Sequence, residues 1–200
     1  MAHQPTPLQG GRGPHSFAFR EWMNENVLCA IGDSEDEHRV VAFVPIDGAR
    51  EYLAYDHNTR LDNILHELFH PAAPPDGPTI LSRFVAVFCI LIELGYGAAI
   101  SRFVDHDWND HRLPSGQNYS GFPSYPVEAF HQNFCNVQMK FCVPKFTRNM
   151  QREFEDTRIL PIAEKRVLSD QGGVATVFEV QVHASHNELQ PSGLATAVST

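Results

Sequence analysis

The sequence predicts a mainly α-helical protein in which a helical domain is followed by a partial β-hairpin. Three patterns indicate this fold class. Over 59–70, apolar residues recur at spacings of three and four, which places them on one face of a helix. The segment 80–104 is largely apolar and predicts the buried centre of the helical domain. Over 174–182, every second residue lies on one apolar face, which is typical of a β-strand.

Composition and charge limit the number of domains and the class of partner. The 200 residues are 42% hydrophobic and 20% charged, which suits one well-buried domain with loose ends. The formal net charge is -9, and the chain has no run of lysine or arginine, so it lacks the basic surface of a nucleic-acid binder. We therefore expect a protein partner and no nucleic-acid partner.

Cysteine usage and the start of the chain predict where the protein is found. Residues 1–15 lack the charged start and apolar run of a signal peptide, and they predict a disordered lead-in. The cysteines form no C-x-x-C pair and are too sparse for a disulfide framework, so free thiols in a reducing compartment are expected. They are Cys29, Cys89, Cys135 and Cys142. The sequence thus predicts an intracellular, cytoplasmic protein.

The apolar run over 84–92 raises the question of a membrane span. Glu93 follows it directly, and a carboxylate at the centre of a bilayer costs about 2.5 to 3.5 kcal/mol. Gly95 and Gly97 weaken the helix further. Nine apolar residues before a charge suit a protein interior better than a bilayer. We therefore expect a buried core helix and no membrane partner.

Other segments extend the helical prediction. Residues 16–30 form a plausible amphipathic stretch, and 40–46 form an extended run that Pro45 and Gly48 end. The segment 80–104 predicts two helices broken near Gly95 and Gly97. The remaining segments predict a loop over 105–127 and a further helix within 130–154.

Residues 159–189, ILPIAEKRVLSDQGGVATVFEVQVHASHNEL, resemble the entry into a protein kinase domain found in a fungal family of kinase-like proteins. Residues 83–114, RFVAVFCILIELGYGAAISRFVDHDWNDHRLP, are similar to the apolar helix, acidic loop and Leu-Pro that precede the kinase in that family. The resemblance implies that the hairpin corresponds to the first two strands of a kinase small lobe. Composition and patterning, together with the resemblance, predict four parts: a disordered lead-in, 1–15; a helical domain, 16–158; a partial kinase-like small lobe, 159–188; and a flexible tail, 189–200.

In a kinase, a glycine-rich loop lets backbone N–H groups lie over the nucleotide phosphates. Aligned on Val177, the pattern G-x-G-x-x-G-x-V is met here by Asp170, Gly172 and Ala175, so one of three glycines stands in its place. Gly173 adds flexibility, whereas Asp170 would bring a carboxylate near the phosphates. A plain β-hairpin therefore remains an alternative to a nucleotide-binding loop.

If nucleotide is bound, the resemblance implies that Leu168, Gly172, Gly173 and Val177 contact it. Catalysis also needs a strand lysine, an H-R-D aspartate and a D-F-G aspartate that holds magnesium. No lysine follows Lys165, and neither tripeptide occurs in the chain. ATP and magnesium are therefore implied only for a full-length parent, and we expect no cofactor and no phosphoryl transfer from this chain.

The predicted function is a non-catalytic regulatory or interaction region of a fungal kinase-like protein, whose parent would be an ATP-dependent Ser/Thr kinase. Its partner would be another protein or the remainder of a kinase domain. The hairpin alone would leave a sheet with an open edge, which favours a shortened chain over a natural stand-alone binding module. Both alternatives stay open.

The segment LHELFHP predicts a different function. His66, Glu67 and His70 match H-E-x-x-H, which places two imidazoles on one helical face for zinc, with the glutamate as general base. Pro71 ends the helix directly after the second histidine, where a metallopeptidase helix usually continues. The alternatives are a zinc-dependent hydrolase and a surface helix with solvated histidines.

Overall fold

The computed structural model describes residues 13–31, 40–114, 121–148, 150, 158–169 and 177–189. It is mainly α-helical with a few short strands, which confirms the predicted fold class. The chain divides into two compact units. We call residues 1–27 with 44–142 the helical unit, and residues 28–43 with 143–200 the β unit.

The described part of the helical unit consists of short helices joined by tight turns. These helices are α1 (Pro14–Glu25), α2 (Ile46–Ala54), α3 (Thr59–Phe69), α4 (Gly77–Arg83), α5 (Val85–Glu93), α6 (Ile100–Asp105) and α7 (Phe130–Gln138). The helical unit also contains single 3-10 turns, which lie after α5 at Gly97–Ala99, after α6 at Asp110–Arg112 and after α7 at Met139–Phe141. Helices this short are marginal alone in water, so packing of their apolar faces holds them.

Helix α5 is the centre of the helical unit. Every residue from Val85 to Ile92 is buried, as expected for a helix that is apolar on all sides. The predicted break near Gly95 and Gly97 is present, and a further break at Phe84 separates α4 from α5. No helix in the described ranges combines the length and apolar character that crossing a bilayer requires.

Aromatic rings fill one end of this core. Trp108 is 1% exposed and packs edge-on against Phe103, Phe122 and Phe134, at ring-centroid distances of 5.5, 5.2 and 5.6 Å. Edge-to-face contacts of this kind add to the energy of burial. Beyond the end of α6 and the 3-10 turn at Asp110–Arg112, the described part of the predicted loop 105–127 is irregular, and the rings of Trp108 and Phe122 anchor it in the core.

The β unit consists of paired strands. β1 (Leu28–Ile31) and β2 (Val40–Phe43) are antiparallel, as are β4 (Ile162–Ser169) and β5 (Val177–Val182). The short strands β3 (Phe146–Thr147) and β6 (Asn187–Glu188) pair in parallel. Phe43 is fully buried and meets the ring edges of His183 and His186 at 5.4 and 5.2 Å.

Several elements differ from the sequence expectations. The amphipathic stretch 16–30 contains α1 but ends as strand β1, because Leu28–Ile31 pairs with Val40–Phe43. Helix α2 begins at Ile46, where the sequence predicts the end of an extended run. The helix predicted within 130–154 stops at Gln138. Residues 28–43 therefore lie in the β unit, whereas the sequence predicts them inside the helical domain.

Candidate functional site

The β4–β5 hairpin is the element on which the kinase-like resemblance rests. Val167 pairs with Phe178 and Lys165 pairs with Val180, so these four side chains lie on one face. Val167, Phe178 and Val180 are 48%, 39% and 41% exposed. The Lys165 ammonium lies 4.0 Å from the centroid of the Phe178 ring, a cation–π contact. We call Val167, Phe178 and Val180 the apolar strip.

The opposite face of the hairpin is polar. Arg166 forms an ion pair with its cross-strand neighbour Glu179, and both side chains are exposed. Among the described residues, β5 pairs with β4 on one edge and with no strand on the other. β4 likewise pairs only with β5 among these residues, so the hairpin offers one apolar face and two open strand edges, a combination that favours addition of another strand.

The predicted nucleotide contacts stay predictions. Leu168 lies near the end of β4 and Val177 begins β5, so both lie close in sequence to residues 170–176, which join the two strands. Gly172, Gly173, Asp170 and Ala175 lie outside the described residues. Two antiparallel strands therefore lie on either side of residues 170–176, which are outside the described residues.

The H-E-x-x-H segment lies in the last turns of α3. His66 and His70 are exposed, with ring centroids 5.1 Å apart. Leu65 is buried, and Leu68 and Phe69 are partly buried, as expected for a surface helix. Across the described ranges, no group of three His, Cys, Asp or Glu side chains is arranged to hold a metal ion.

Glu67 has a structural partner that the sequence does not indicate. Its carboxylate accepts hydrogen bonds from the backbone N–H groups of His15 and Ser16, at 2.7 and 3.1 Å, and from the Ser16 hydroxyl. These N–H groups belong to the first turn of α1, whose N-cap is Gly13. Glycine offers no capping side chain, so Glu67 supplies the acceptor from another helix. Its carboxylate is therefore engaged and is not free to act as a zinc hydrolase base.

A carboxylate from a distant part of the sequence also caps the start of α5. The N-cap residue Phe84 has no side-chain acceptor, and the Asp110 carboxylate instead accepts from the backbone N–H groups of Ala86 and Val87, at 3.1 and 3.0 Å. Burial raises the pKa of Asp110 above its usual range, although these N–H groups act in the opposite direction.

Arginines cap two helix ends in the same way. The Arg20 guanidinium donates to Ile92 O at 2.5 Å, in the last turn of α5, and Arg50 donates to Leu81 O in the last turn of α4. Positive charge at a helix C-terminus also complements the helix dipole. Glu67, Asp110, Arg20 and Arg50 thus each close a helix end.

Glu93, which interrupts the apolar run, lies at the end of α5. One of its carboxylate oxygens is 2.9 Å from the Lys140 ammonium, and both side chains are about a quarter exposed, at 24% and 23%. The charge of Glu93 is therefore neutralised by Lys140 at the edge of the core.

Comparison with known proteins identifies no relative: no family model, curated protein or solved structure matches this chain. A function for the chain therefore rests on its own residues and geometry. The β4–β5 hairpin is the feature that combines an exposed apolar strip with an open strand edge.

Proposed function

We propose that this chain is a non-catalytic interaction region of a kinase-like protein, and that the β4–β5 hairpin is its contact surface. The proposed partner is a kinase-like domain, in the same polypeptide or in a full-length relative. It would add a strand to the open edge of β5 and cover the apolar strip.

The observation that carries the proposal is the exposure of the apolar strip on a two-stranded ribbon. A hairpin of two strands is at best marginally stable in water, and further strands or a packed helix are needed to hold it. Val167, Phe178 and Val180 lie side by side in register, so a partner that covers one of them covers all three. Main-chain pairing along β5 would supply affinity, and the strip would supply specificity.

The absence of catalytic residues from the sequence supports the non-catalytic part of the proposal. Phosphoryl transfer depends on positioned charges and magnesium, and the H-R-D and D-F-G tripeptides do not occur in the 200 residues. With radiolabelled ATP, magnesium and a generic Ser/Thr substrate, we expect no transfer above a protein-free blank. Transfer that is lost on changing a residue of this chain would refute the non-catalytic assignment.

Binding of this chain is tested with a purified full-length protein from the fungal kinase-like family that residues 159–189 resemble. The variant carries Phe178→Thr and Val180→Thr, since threonine keeps the preference for strand structure while it removes apolar surface. Loss of a central aromatic anchor costs 2 kcal/mol or more at many interfaces, so we expect binding at least about tenfold weaker.

The matched control is Val40→Thr, which removes an exposed valine, 63% exposed, from the other hairpin of the β unit. This variant should bind as the unchanged chain does. An equal loss in both variants would assign the effect to general destabilisation of the β unit. No binding of the unchanged chain at high micromolar concentration would refute the proposed partner.

A further inference from the structure

The two exposed histidines of α3 carry an inference that is independent of the proposed function. His66 and His70 are one helical turn apart, and the backbone N–H of His70 donates to His66 O at 2.9 Å. Their rings have no other side-chain partner among the described residues, and both side chains face solvent. Two free imidazoles on one turn are potential ligands for a first-row divalent ion.

The separation of the rings matches what a single zinc ion requires. Zinc bonds imidazole nitrogen at about 2.0 Å, so it lies roughly 3.2 Å from the ring centroid, and two rings at a tetrahedral angle have centroids roughly 5.2 Å apart. The observed centroid distance between His66 and His70 is 5.1 Å. One ion can therefore be shared by the two histidines once rotation about their side-chain bonds turns a ring nitrogen of each towards it.

Glu67, between the two histidines in sequence, gives this site a structural consequence. Its carboxylate caps α1 through His15 and Ser16. A metal ion that joins His66 to His70 fixes the same helical turn from which Glu67 reaches α1. Binding would therefore reduce fraying at the C-terminal end of α3 and hold the Glu67 carboxylate against the first turn of α1.

We propose that His66 and His70 form a two-histidine zinc site, with water in the remaining positions, and that zinc binding stabilises the attachment of α1 to α3. The site is structural, not hydrolytic, because Glu67 is engaged with α1. Binding here requires no bond to be made or broken in a substrate.

The first test is calorimetric titration of the full chain with zinc chloride, after removal of any tag and in a buffer that does not chelate. Because the chain has eleven histidines, the site is assigned by substitution. We expect one saturable site, with affinity at least about tenfold lower in His66→Asn and in His70→Asn. The matched control is His57→Asn, an exposed histidine in the loop before α3, which should leave the affinity unchanged.

The second test is amide exchange of α1 with and without zinc. Zinc should slow exchange in α1 of the unchanged chain, and it should have no such effect in Glu67→Ala, which keeps both histidines and still binds zinc. Absence of saturable binding, or binding that both histidine variants retain, would overturn the proposed site and indicate an adventitious ion only. Equal slowing of α1 in Glu67→Ala would overturn the coupling.

Discussion

Removal of the Glu67 carboxylate should loosen α1, because this one side chain closes the first turn of that helix. It accepts from His15 N, Ser16 N and the Ser16 hydroxyl. Loss of a capping acceptor costs about 1 kcal/mol, and loss of a negative charge at a helix N-terminus adds about 0.3 to 1 kcal/mol. We therefore expect Glu67→Ala to lower the free energy of unfolding by about 2 kcal/mol.

Thermal and urea unfolding followed by tryptophan fluorescence measure this loss, because Trp22 lies on α1. For a chain of this size, the expected fall in Tm is about 4 to 8 °C. Glu67→Gln keeps an acceptor oxygen but loses the charge, so it should cost about half as much. The matched control is Glu51→Ala, an exposed glutamate on α2, which should change stability by less than about 0.5 kcal/mol.

Gly13 offers an independent check of the same contact. A Cβ added at Gly13 would overlap the carboxyl group of Glu67, so Gly13→Ala must displace the Glu67 side chain and remove its hydrogen bonds. The costs of Gly13→Ala and Glu67→Ala should therefore not add in the double variant. Gly13→Ser in the Glu67→Ala background should recover about 1 kcal/mol, because serine caps its own helix. Additive costs, or a Glu67→Ala cost equal to that of Glu51→Ala, would refute this account.

Other predictions concern the core and the buried carboxylate. Asp110→Ala should lower the free energy of unfolding in urea by about 1 to 2 kcal/mol, because Ala86 N and Val87 N lose their acceptor. Because burial raises the pKa of Asp110 in the folded state, folding favours its protonated form, and the stability that protonation adds is full below about pH 3.9 and is lost as pH rises through the folded pKa; Asp110→Asn should remove this pH dependence, and an unchanged profile would contradict it. Trp108→Ala should cost about 3 to 5 kcal/mol, and a loss under about 1 kcal/mol would contradict its place in the core.

The sequence predicts those elements whose apolar pattern is local and regular. The three-and-four spacing over 59–70 corresponds to α3, and the alternation over 174–182 contains β5. The buried character of α5 also follows directly from a run with no polar face. In each case, the regular spacing of apolar residues along the sequence predicts the type of element.

The sequence does not predict elements that depend on distant partners. β1 is only four residues long, and it forms because β2 pairs with it across the acidic connection. Helix α2 contains Gly48, which disfavours a helix, and it is held instead by burial of Ala49 and Leu53. Tertiary packing outweighs local preference at both places.

The role of Glu67 in the H-E-x-x-H segment also depends on a distant partner. The H-E-x-x-H spacing is visible in the sequence, whereas the use of Glu67 to cap α1 requires a contact across 51 and 52 positions. A signal could have been found in the missing cap of α1, since Gly13 and Pro14 begin a helix without a side-chain acceptor. Such a helix needs an acceptor from elsewhere, although its identity is not local information.

The most direct test of the proposed function is amide exchange over Val177–Val182, with and without the full-length fungal kinase-like protein. Strand addition at the open edge of β5 should slow exchange in this strand, while exchange in α3 should stay unchanged. The variant with Phe178→Thr and Val180→Thr should show no slowing at the same partner concentration. Complex formation that leaves exchange over Val177–Val182 unaltered would contradict the assignment of the hairpin as the contact surface.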